Sequence, residues 1–91
     1  MLERDIEAKV CDYAKSKGML VYKFTSPARA AVPDRLFITP TGVVFFIEFK
    51  APGKKATPQQ EREHRRLTEQ GCTVFVIDDA VVGKYTVNGM L

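Results

Sequence analysis

The stretch Val43–Lys50 constrains the fold more than any other part of this 91-residue sequence. Its residues are apolar on both sides of an extended chain until Glu48, which is typical of a strand covered on both faces of a sheet. Because side chains alternate along a strand, Glu48 and Lys50 point to one face and Phe49 points to the other. The sequence therefore predicts a central strand whose end carries a carboxylate and an ammonium group in dry surroundings, where an unpaired charge is costly.

A second carboxylate is expected beside Glu48. Arg35–Thr39 has the composition of a strand, and the turn Pro40–Gly42 would join it to the apolar strand as a hairpin with Asp34 next to Glu48. Two adjacent carboxylates form a hard-oxygen site suited to Mg²⁺ or Mn²⁺. Because Lys50 beside them could hold a phosphate or position a water, the three residues together predict a metal-dependent nuclease.

The remaining patterns predict an α/β fold with the element order αβββαβ, in which helices flank a mixed central sheet. The first helix has its apolar stripe centred on Ile6, and the second begins with Thr57 as N-cap, Pro58 at the first helical position and Gln60 closing a capping box. We predict helices at 3–17 and 58–70, strands at 19–25, 35–39, 43–50 and 73–77, and a possible short fifth strand at Lys84–Val87. The whole chain, 1–91, is expected to form one domain.

Composition excludes several classes of protein. No apolar segment approaches the length of a membrane span, and the charged N-terminus does not resemble a signal peptide. Two cysteines, Cys11 and Cys72, form no disulfide framework, which favours a cytoplasmic location. Because His64 is the single histidine, a tetrahedral zinc site is not expected, and any metal should be held by oxygen.

The net charge of +3 is too small to indicate nucleic acid by itself, but the basic residues are concentrated in one part of the chain. Binding to phosphates depends on such a local patch. We expect the following side chains to contact the DNA backbone: Arg29, Lys54, Lys55, Arg62, Arg65 and Arg66. The alternative for this run is an ordinary solvated surface.

Each candidate residue also has a structural interpretation. Asp34 could be a turn residue after proline, and Glu48 with Lys50 could be a salt bridge at a strand end. Gln60 could serve only the capping box. His64 is more often an ordinary histidine on a helix surface than a base or a ligand.

At the level of function, three alternatives remain open. The chain could be a DNA-binding or assembly module that has lost catalysis on the same fold. It could be a sequence-selective endonuclease, although nothing in the chain is typical of a base-reading element. It could also be a purely structural α/β domain, which should show no change in melting temperature with divalent ions.

The pattern resembles the virus-type replication-repair nuclease domain, VRR-NUC, over nearly the whole chain. Four segments carry the resemblance: Glu3 with Ile6, Val32–Asp34, Ile47–Gly53, and Pro58 with Gln60 and His64. It implies a restriction-endonuclease-like PD-(D/E)xK core and Mg²⁺- or Mn²⁺-dependent cleavage of DNA, with a preference for branched substrates such as Holliday junctions or flaps. Small members of the family are expected to be homodimers from phages or prophages, acting in the bacterial or infected host cytoplasm.

The resemblance also implies roles for individual residues. Asp34, Glu48 and the Phe49 carbonyl are the expected metal ligands, and Lys50 is the expected catalytic lysine. On the first helix Glu3 matches the family acid and is expected to join the metal directly or through water. It lies at the edge of the apolar stripe, whereas Glu7 lies further toward solvent. Gln60 matches the family glutamine.

The chain departs from the family pattern at one position. The family usually has glycine where this chain has Ala31, just before Val32–Asp34. Alanine disfavours a positive φ, so this departure bears on the conformation of the loop that directs Asp34.

Overall fold

The computed structural model describes residues 1–91, which form a four-stranded mixed sheet with three helices. The elements are α1 (Glu3–Ser16), β1 (Leu20–Lys23), β2 (Arg35–Ile38), β3 (Val44–Phe49), α2 (Pro58–Glu69), β4 (Val74–Ile77) and α3 (Ala80–Gly89). The predicted αβββαβ order and α/β class are confirmed, with most element ends one or two residues inside the predicted bounds. No helix is long and apolar enough to cross a membrane.

The sheet has the strand order β1-β2-β3-β4, in which β1–β2 and β2–β3 are antiparallel and β3–β4 is parallel. The parallel pair requires a crossover connection, and α2 provides it. β3 is therefore a central strand, and its residues Phe45–Phe49 are all buried, as its two-sided apolar pattern predicts.

The two faces of the sheet are covered differently. The apolar core lies between one face and helices α1 and α3, where Ile6 and Val10 of α1 pack with Phe45, Ile47 and Phe49 of β3. We call this the α1 face. The opposite face carries Glu48 and is covered by α2, whose Gln60 contacts that carboxylate; we call it the α2 face.

The prediction of a fifth strand at Lys84–Val87 is wrong, because these residues belong to α3. Asp79 caps this helix by accepting a hydrogen bond from the backbone N–H of Val82 at 3.0 Å. Gly83 allows the helix to approach α1 closely, since a Cβ there would lie 2.5 Å from Val10 Cγ2. Packing against α1 therefore outweighs the β-propensity of Tyr85, Thr86 and Val87 in this segment.

Candidate active site at the end of strand β3

The hairpin of β2 and β3 brings the two predicted carboxylates to one end of the sheet. Arg35 pairs with Ile47, so Asp34 continues β2 at the end of the strand where β3 reaches Glu48. Asp34 Oδ2 accepts a hydrogen bond from the backbone N–H of Phe49 at 2.8 Å. This contact fixes the Asp34 carboxylate against the residue that follows Glu48.

Glu48 is a nearly completely buried carboxylate, with 3% of its side chain exposed. Oε2 accepts a hydrogen bond from Gln60 Nε2 at 3.2 Å and lies 3.9 Å from Lys50 Nζ. Oε1 has no hydrogen-bond partner, and it lies 3.7 Å from His64 Nε2, a buried atom that also lacks a partner. One carboxylate oxygen is thus desolvated without the hydrogen bond that a buried oxygen normally makes.

The electrostatics at Glu48 follow from this environment. Burial and, to a smaller extent, the charge of Asp34 raise the pKa of Glu48 to about 8, against a lowering effect of Lys50. Burial and then the charge of Lys50 lower the pKa of His64, so the imidazole is neutral at pH 7 and supplies no compensating charge. The nearby protein charges therefore leave the Glu48 carboxylate short of positive charge.

Gln60 has both of the roles that the sequence allows. Its backbone N–H donates to Thr57 Oγ1 at 3.2 Å, and its side-chain Oε1 accepts from the Thr57 N–H at 3.0 Å, which completes the predicted capping box. Its Nε2 donates to Glu48 in the same conformation. The cap therefore fixes the amide whose other end orients a predicted metal ligand.

His64 lies in the site, contrary to the expectation of an ordinary surface histidine. It is buried on the side of α2 that faces the sheet, one turn after Gln60, and its ring faces Glu48. The spacing of Gln60, His64 and Leu67 was the signal for a sheet-facing stripe on this otherwise polar helix. Glu63, another buried residue of α2, gave no comparable signal in the sequence.

The first helix contributes its acids unequally. Glu7 Oε2 accepts a hydrogen bond from Arg35 Nε at 2.7 Å, so this carboxylate is paired within the fold. Glu3 is exposed and unpaired, and its charge is a minor contributor to the raised pKa of Glu48. The expectation that Glu3 lies nearer the buried stripe than Glu7 is wrong, because Glu3 is exposed whereas Glu7 is partly buried by its pairing with Arg35 of β2. Glu3 is not part of the close contacts around Glu48, and its role as the family acid stays a prediction.

Two of the predicted metal ligands have the chemistry that a hard divalent cation requires. Asp34 and the buried, unpartnered Oε1 of Glu48 are carboxylate oxygens of the kind that Mg²⁺ and Mn²⁺ prefer. No cluster of three or more His, Cys, Asp or Glu side chains has an arrangement that could hold a metal ion. The predicted ligands Asp34, Glu48 and the Phe49 carbonyl therefore include two acidic side chains, and Glu3 does not join them in a three-acid cluster.

The predicted DNA-binding residues do not form one patch, because they lie on two sides of α2. Arg29, Arg62 and Arg66 line a cleft of about 400 Å³ that also contains Glu63; we call this the arginine surface. Lys54, Lys55 and Arg65 line a second cleft of about 620 Å³ that borders His64 and includes Glu61 and Asp78; we call this the lysine surface. The lysine surface includes His64, whose ring faces Glu48, and neither cleft includes Gln60.

Ala31 adopts a left-handed conformation with φ +68°, the one non-glycine residue in the chain with a positive φ. Alanine in this conformation costs about 1–2 kcal/mol, because its Cβ approaches the following carbonyl oxygen. The position before Val32–Asp34 therefore does require a positive φ, which glycine would adopt without strain, and this chain tolerates the strain three residues before Asp34.

Comparison with known proteins relates the whole chain to nucleases. The chain is 47% identical over 76 residues to "Putative nuclease p44" of Acyrthosiphon pisum secondary endosymbiont phage 1, an alignment that covers 84% of this chain and 82% of that protein. A solved structure of a "VRR_NUC domain" superposes with a TM-score of 0.89 at 30% identity, covering 98% of this chain and 97% of that one.

A second solved structure, of a "VRR_NUC domain protein", shares the fold with a TM-score of 0.77 at 15% identity and covers 99% of this chain and 88% of the other. No protein-family model matches the sequence.

Proposed function

The chain belongs to the VRR-NUC family of nucleases, and we propose that it is a divalent-metal-dependent DNA endonuclease with Asp34 and Glu48 as its metal ligands. The observation that carries this proposal is the buried Oε1 of Glu48, which has no hydrogen-bond partner and lies in a carboxylate whose pKa is raised to about 8. A divalent cation would supply the missing positive charge. Such an ion, Mg²⁺ or Mn²⁺, neutralises charge on a phosphodiester and makes a water molecule more acidic.

The protein groups have separate tasks in this mechanism. The Phe49 N–H holds Asp34, and the Gln60 amide holds Glu48, so both carboxylates are oriented before substrate arrives. Such preorganisation avoids reorganisation during the reaction. We assign the Phe49 carbonyl as a further ligand and Glu3 as a more distant acid that assists the same ion.

Lys50 is the proposed catalytic lysine. Its side chain is 14% exposed, and its Nζ lies 3.9 Å from Glu48 Oε2 on the same face of the sheet. From this position the ammonium group can orient a water and stabilise the negative charge that develops on the phosphate. Its weak contact with Glu48 supports this role over that of a tight salt bridge.

The substrate we propose is branched DNA, such as a Holliday junction or a flap. The arginine and lysine surfaces are separate clefts on two sides of α2, and the second of them includes His64, whose ring faces Glu48. Two separate basic surfaces suit two DNA segments that diverge at the site better than one straight duplex. Because phosphate contacts carry no sequence information, we expect selection by DNA shape.

We also propose that the active form is a homodimer. In the structure 18 of 91 residues are buried, which is a small core, and apolar side chains remain exposed on β1 and α3, including Leu20, Tyr22, Val81 and Tyr85. A chain of this size is marginal alone and gains from association. Sedimentation at several protein concentrations would measure the monomer–dimer equilibrium.

The test of the function is cleavage of a labelled panel of a four-way junction, flap, splayed duplex, linear duplex and supercoiled plasmid. Each substrate is incubated with Mg²⁺, Mn²⁺ or EDTA, using the wild type, Asp34→Asn and Glu48→Gln. We expect metal-dependent cutting that falls by about a hundredfold to a thousandfold in either variant, with DNA binding retained.

The same panel separates the alternatives. Binding without cutting in any metal would favour an inactive DNA-binding module. Equal cutting of linear and branched substrates would contradict shape selection, and cutting at one sequence would favour a sequence-selective enzyme. Unchanged cutting by Glu48→Gln would remove this residue from the site.

A further inference from the structure

We infer that the ion pair between Arg29 and Glu63 is a positioning clamp that holds Ala31 in its strained conformation and thereby directs Asp34 to the metal site. This inference rests on the proposed function for the role of Asp34. The clamp itself concerns residues outside the catalytic set. Neither Arg29 nor Glu63 touches Asp34, so both would act through the backbone of the connecting loop.

The loop between β1 and β2 has few attachments to the rest of the protein. At its ends Phe24 N–H donates to the Asp34 carbonyl at 2.9 Å, and the Phe24 ring packs on Phe46 with centroids 5.2 Å apart. Between these ends, the backbone N–H of Arg29 makes a long 3.4 Å hydrogen bond to the Ser26 carbonyl. The central part of the loop therefore needs a further contact to stay in one conformation.

Arg29 provides that contact. Its Nε donates to Glu63 Oε1 at 2.9 Å, which connects the loop to α2 across the cleft of about 400 Å³. The Glu63 side chain is 9% exposed, whereas that of Arg29 is 50% exposed, so the anchor is on the helix and the loop reaches toward it. Arg66 lies 3.6 Å from the same oxygen and helps to hold Glu63.

The strained conformation of Ala31 links the Arg29–Glu63 contact to the position of Asp34. A left-handed alanine persists only where the surrounding structure holds it on both sides. On the downstream side Pro33 is fully buried and Asp34 is bonded to Phe49. On the upstream side the side-chain hydrogen bond that holds the loop is that of Arg29, two residues before Ala31. Release of Arg29 would let Ala31 relax to negative φ and would move the backbone that carries Asp34.

The decisive variant is Arg29→Ala, compared with Arg62→Ala as a matched control. Both remove one arginine from the same cleft, but Arg62 forms no ion pair with Glu63. Two measurements without DNA report on Asp34: hydrogen exchange of the Phe49 amide in metal-free protein, and Mn²⁺ affinity by titration calorimetry. Neither depends on the loss of a phosphate contact.

We expect Arg29→Ala to accelerate exchange at Phe49 and to weaken Mn²⁺ binding by roughly tenfold, the usual size of an effect from a residue that supports a ligand. Arg62→Ala should change both quantities by less than about twofold, since the substitution of an exposed side chain that makes no ion pair with Glu63 has little effect. Adding Ala31→Gly should restore both values in the Arg29→Ala protein, because glycine adopts positive φ without strain. Glu63→Gln, which keeps an acceptor for Arg29, should lie between the wild type and Arg29→Ala.

Equal effects of Arg29→Ala and Arg62→Ala would overturn the clamp, as would a failure of Ala31→Gly to rescue. The two proposals can fail separately. A wild-type protein that binds no Mn²⁺ would contradict the proposed function, and exchange at Phe49 would then decide the clamp alone. A wild type that binds Mn²⁺ with no dependence on Arg29 would leave the function supported and reject the clamp.

Discussion

Helix α2 contacts two buried carboxylates, Glu48 on the sheet and its own Glu63, and their surroundings differ. Glu63 has two arginine partners, with Arg29 at 2.9 Å and Arg66 at 3.6 Å. Glu48 has a lysine at 3.9 Å, an amide hydrogen bond from Gln60 and one oxygen without a partner. The fold compensates the first carboxylate with its own charges and leaves one oxygen of the second without a partner.

The difference distinguishes an acid that is compensated within the fold from the acid that we propose as a metal ligand. A buried charge that is fully paired has no capacity to bind another ion, whereas an incompletely paired one shifts its pKa or recruits a cation. Glu48 has a strongly raised pKa, which is typical of functional sites. Each of the following predictions would sharpen this contrast or break it.

The largest expected effect is the loss of catalysis when Lys50, the neighbour of Glu48, is replaced. Lys50→Ala should lower the turnover number by about a hundredfold, because it removes the cation that stabilises charge on the phosphate. The Mn²⁺ affinity measured by calorimetry should change much less than the turnover. A pure loss of metal affinity with unchanged turnover at saturating metal would contradict the assigned role.

The next largest effect is on the melting temperature, which substitutions of Glu48 and Glu63 should change in opposite directions. Glu48→Gln should raise the melting temperature of metal-free protein at pH 8 by about 5 °C, since it removes an under-compensated buried charge. Glu63→Ala should lower it by a similar amount, since it leaves Arg29 and Arg66 without their partner. Differential scanning calorimetry in EDTA measures both, and shifts of the same sign would break the comparison.

The pH dependence of stability is a third test. The folded pKa of Glu48 is about 8 against an ordinary value of 4.5, so between these pH values the folded state holds a proton that the unfolded chain has lost. The contribution of Glu48 to the free energy of unfolding of metal-free protein should therefore be largest below about pH 4.5. It should fall as the pH rises and level off above about pH 8.

The matched control for this pH profile is Glu48→Gln, which should flatten it across the same window. The affinity for Mn²⁺ should rise with pH up to about 8 in the wild type, because the metal competes with the proton on Glu48. A Glu48→Gln profile that still falls between pH 5 and 8 would assign the titration to another group.

The smallest expected effects concern Glu3 and Glu7, two of the acids of α1, because one of them is paired and the other is not. Glu7→Gln should lower the melting temperature by a few degrees, because Glu7 is paired with Arg35 at 2.7 Å. Glu3→Gln should leave the melting temperature nearly unchanged and reduce the rate of metal-dependent cleavage by a fewfold. An equal or larger loss of cleavage in Glu7→Gln would mean that Glu7 is the functional acid.

Much of the fold could be predicted from local patterns. The two-sided apolar run of β3 indicated a central strand, and Thr57, Pro58 and Gln60 marked the start of α2 through capping chemistry that acts within one turn. The segment Lys84–Val87 was misassigned because its β-branched residues favour a strand. Its helical state depends on the cap at Asp79 and on the contact of Gly83 with Val10, a residue far away in the sequence.

The sequence predicted the main residues of the candidate site better than it predicted their surroundings. Asp34, Glu48, Lys50 and Gln60 follow from alternation, hairpin pairing and resemblance, and the structure places them around one strand end. The burial of His64 was missed, since a lone histidine on a polar helix gives little indication of which way it points. The prediction of one basic patch was also incomplete, because neighbours in sequence on a helix lie on different sides of it.

The sequence by itself determined which side chains share a face of β3, because alternation along a strand is a local property of the backbone. It also determined that a carboxylate would end a buried strand. Only the tertiary structure decided that Glu48 would be left without a full set of partners while Glu63 received two arginines. Charge compensation in a folded protein depends on distances between segments that are remote in sequence, and packing of the whole chain sets those distances.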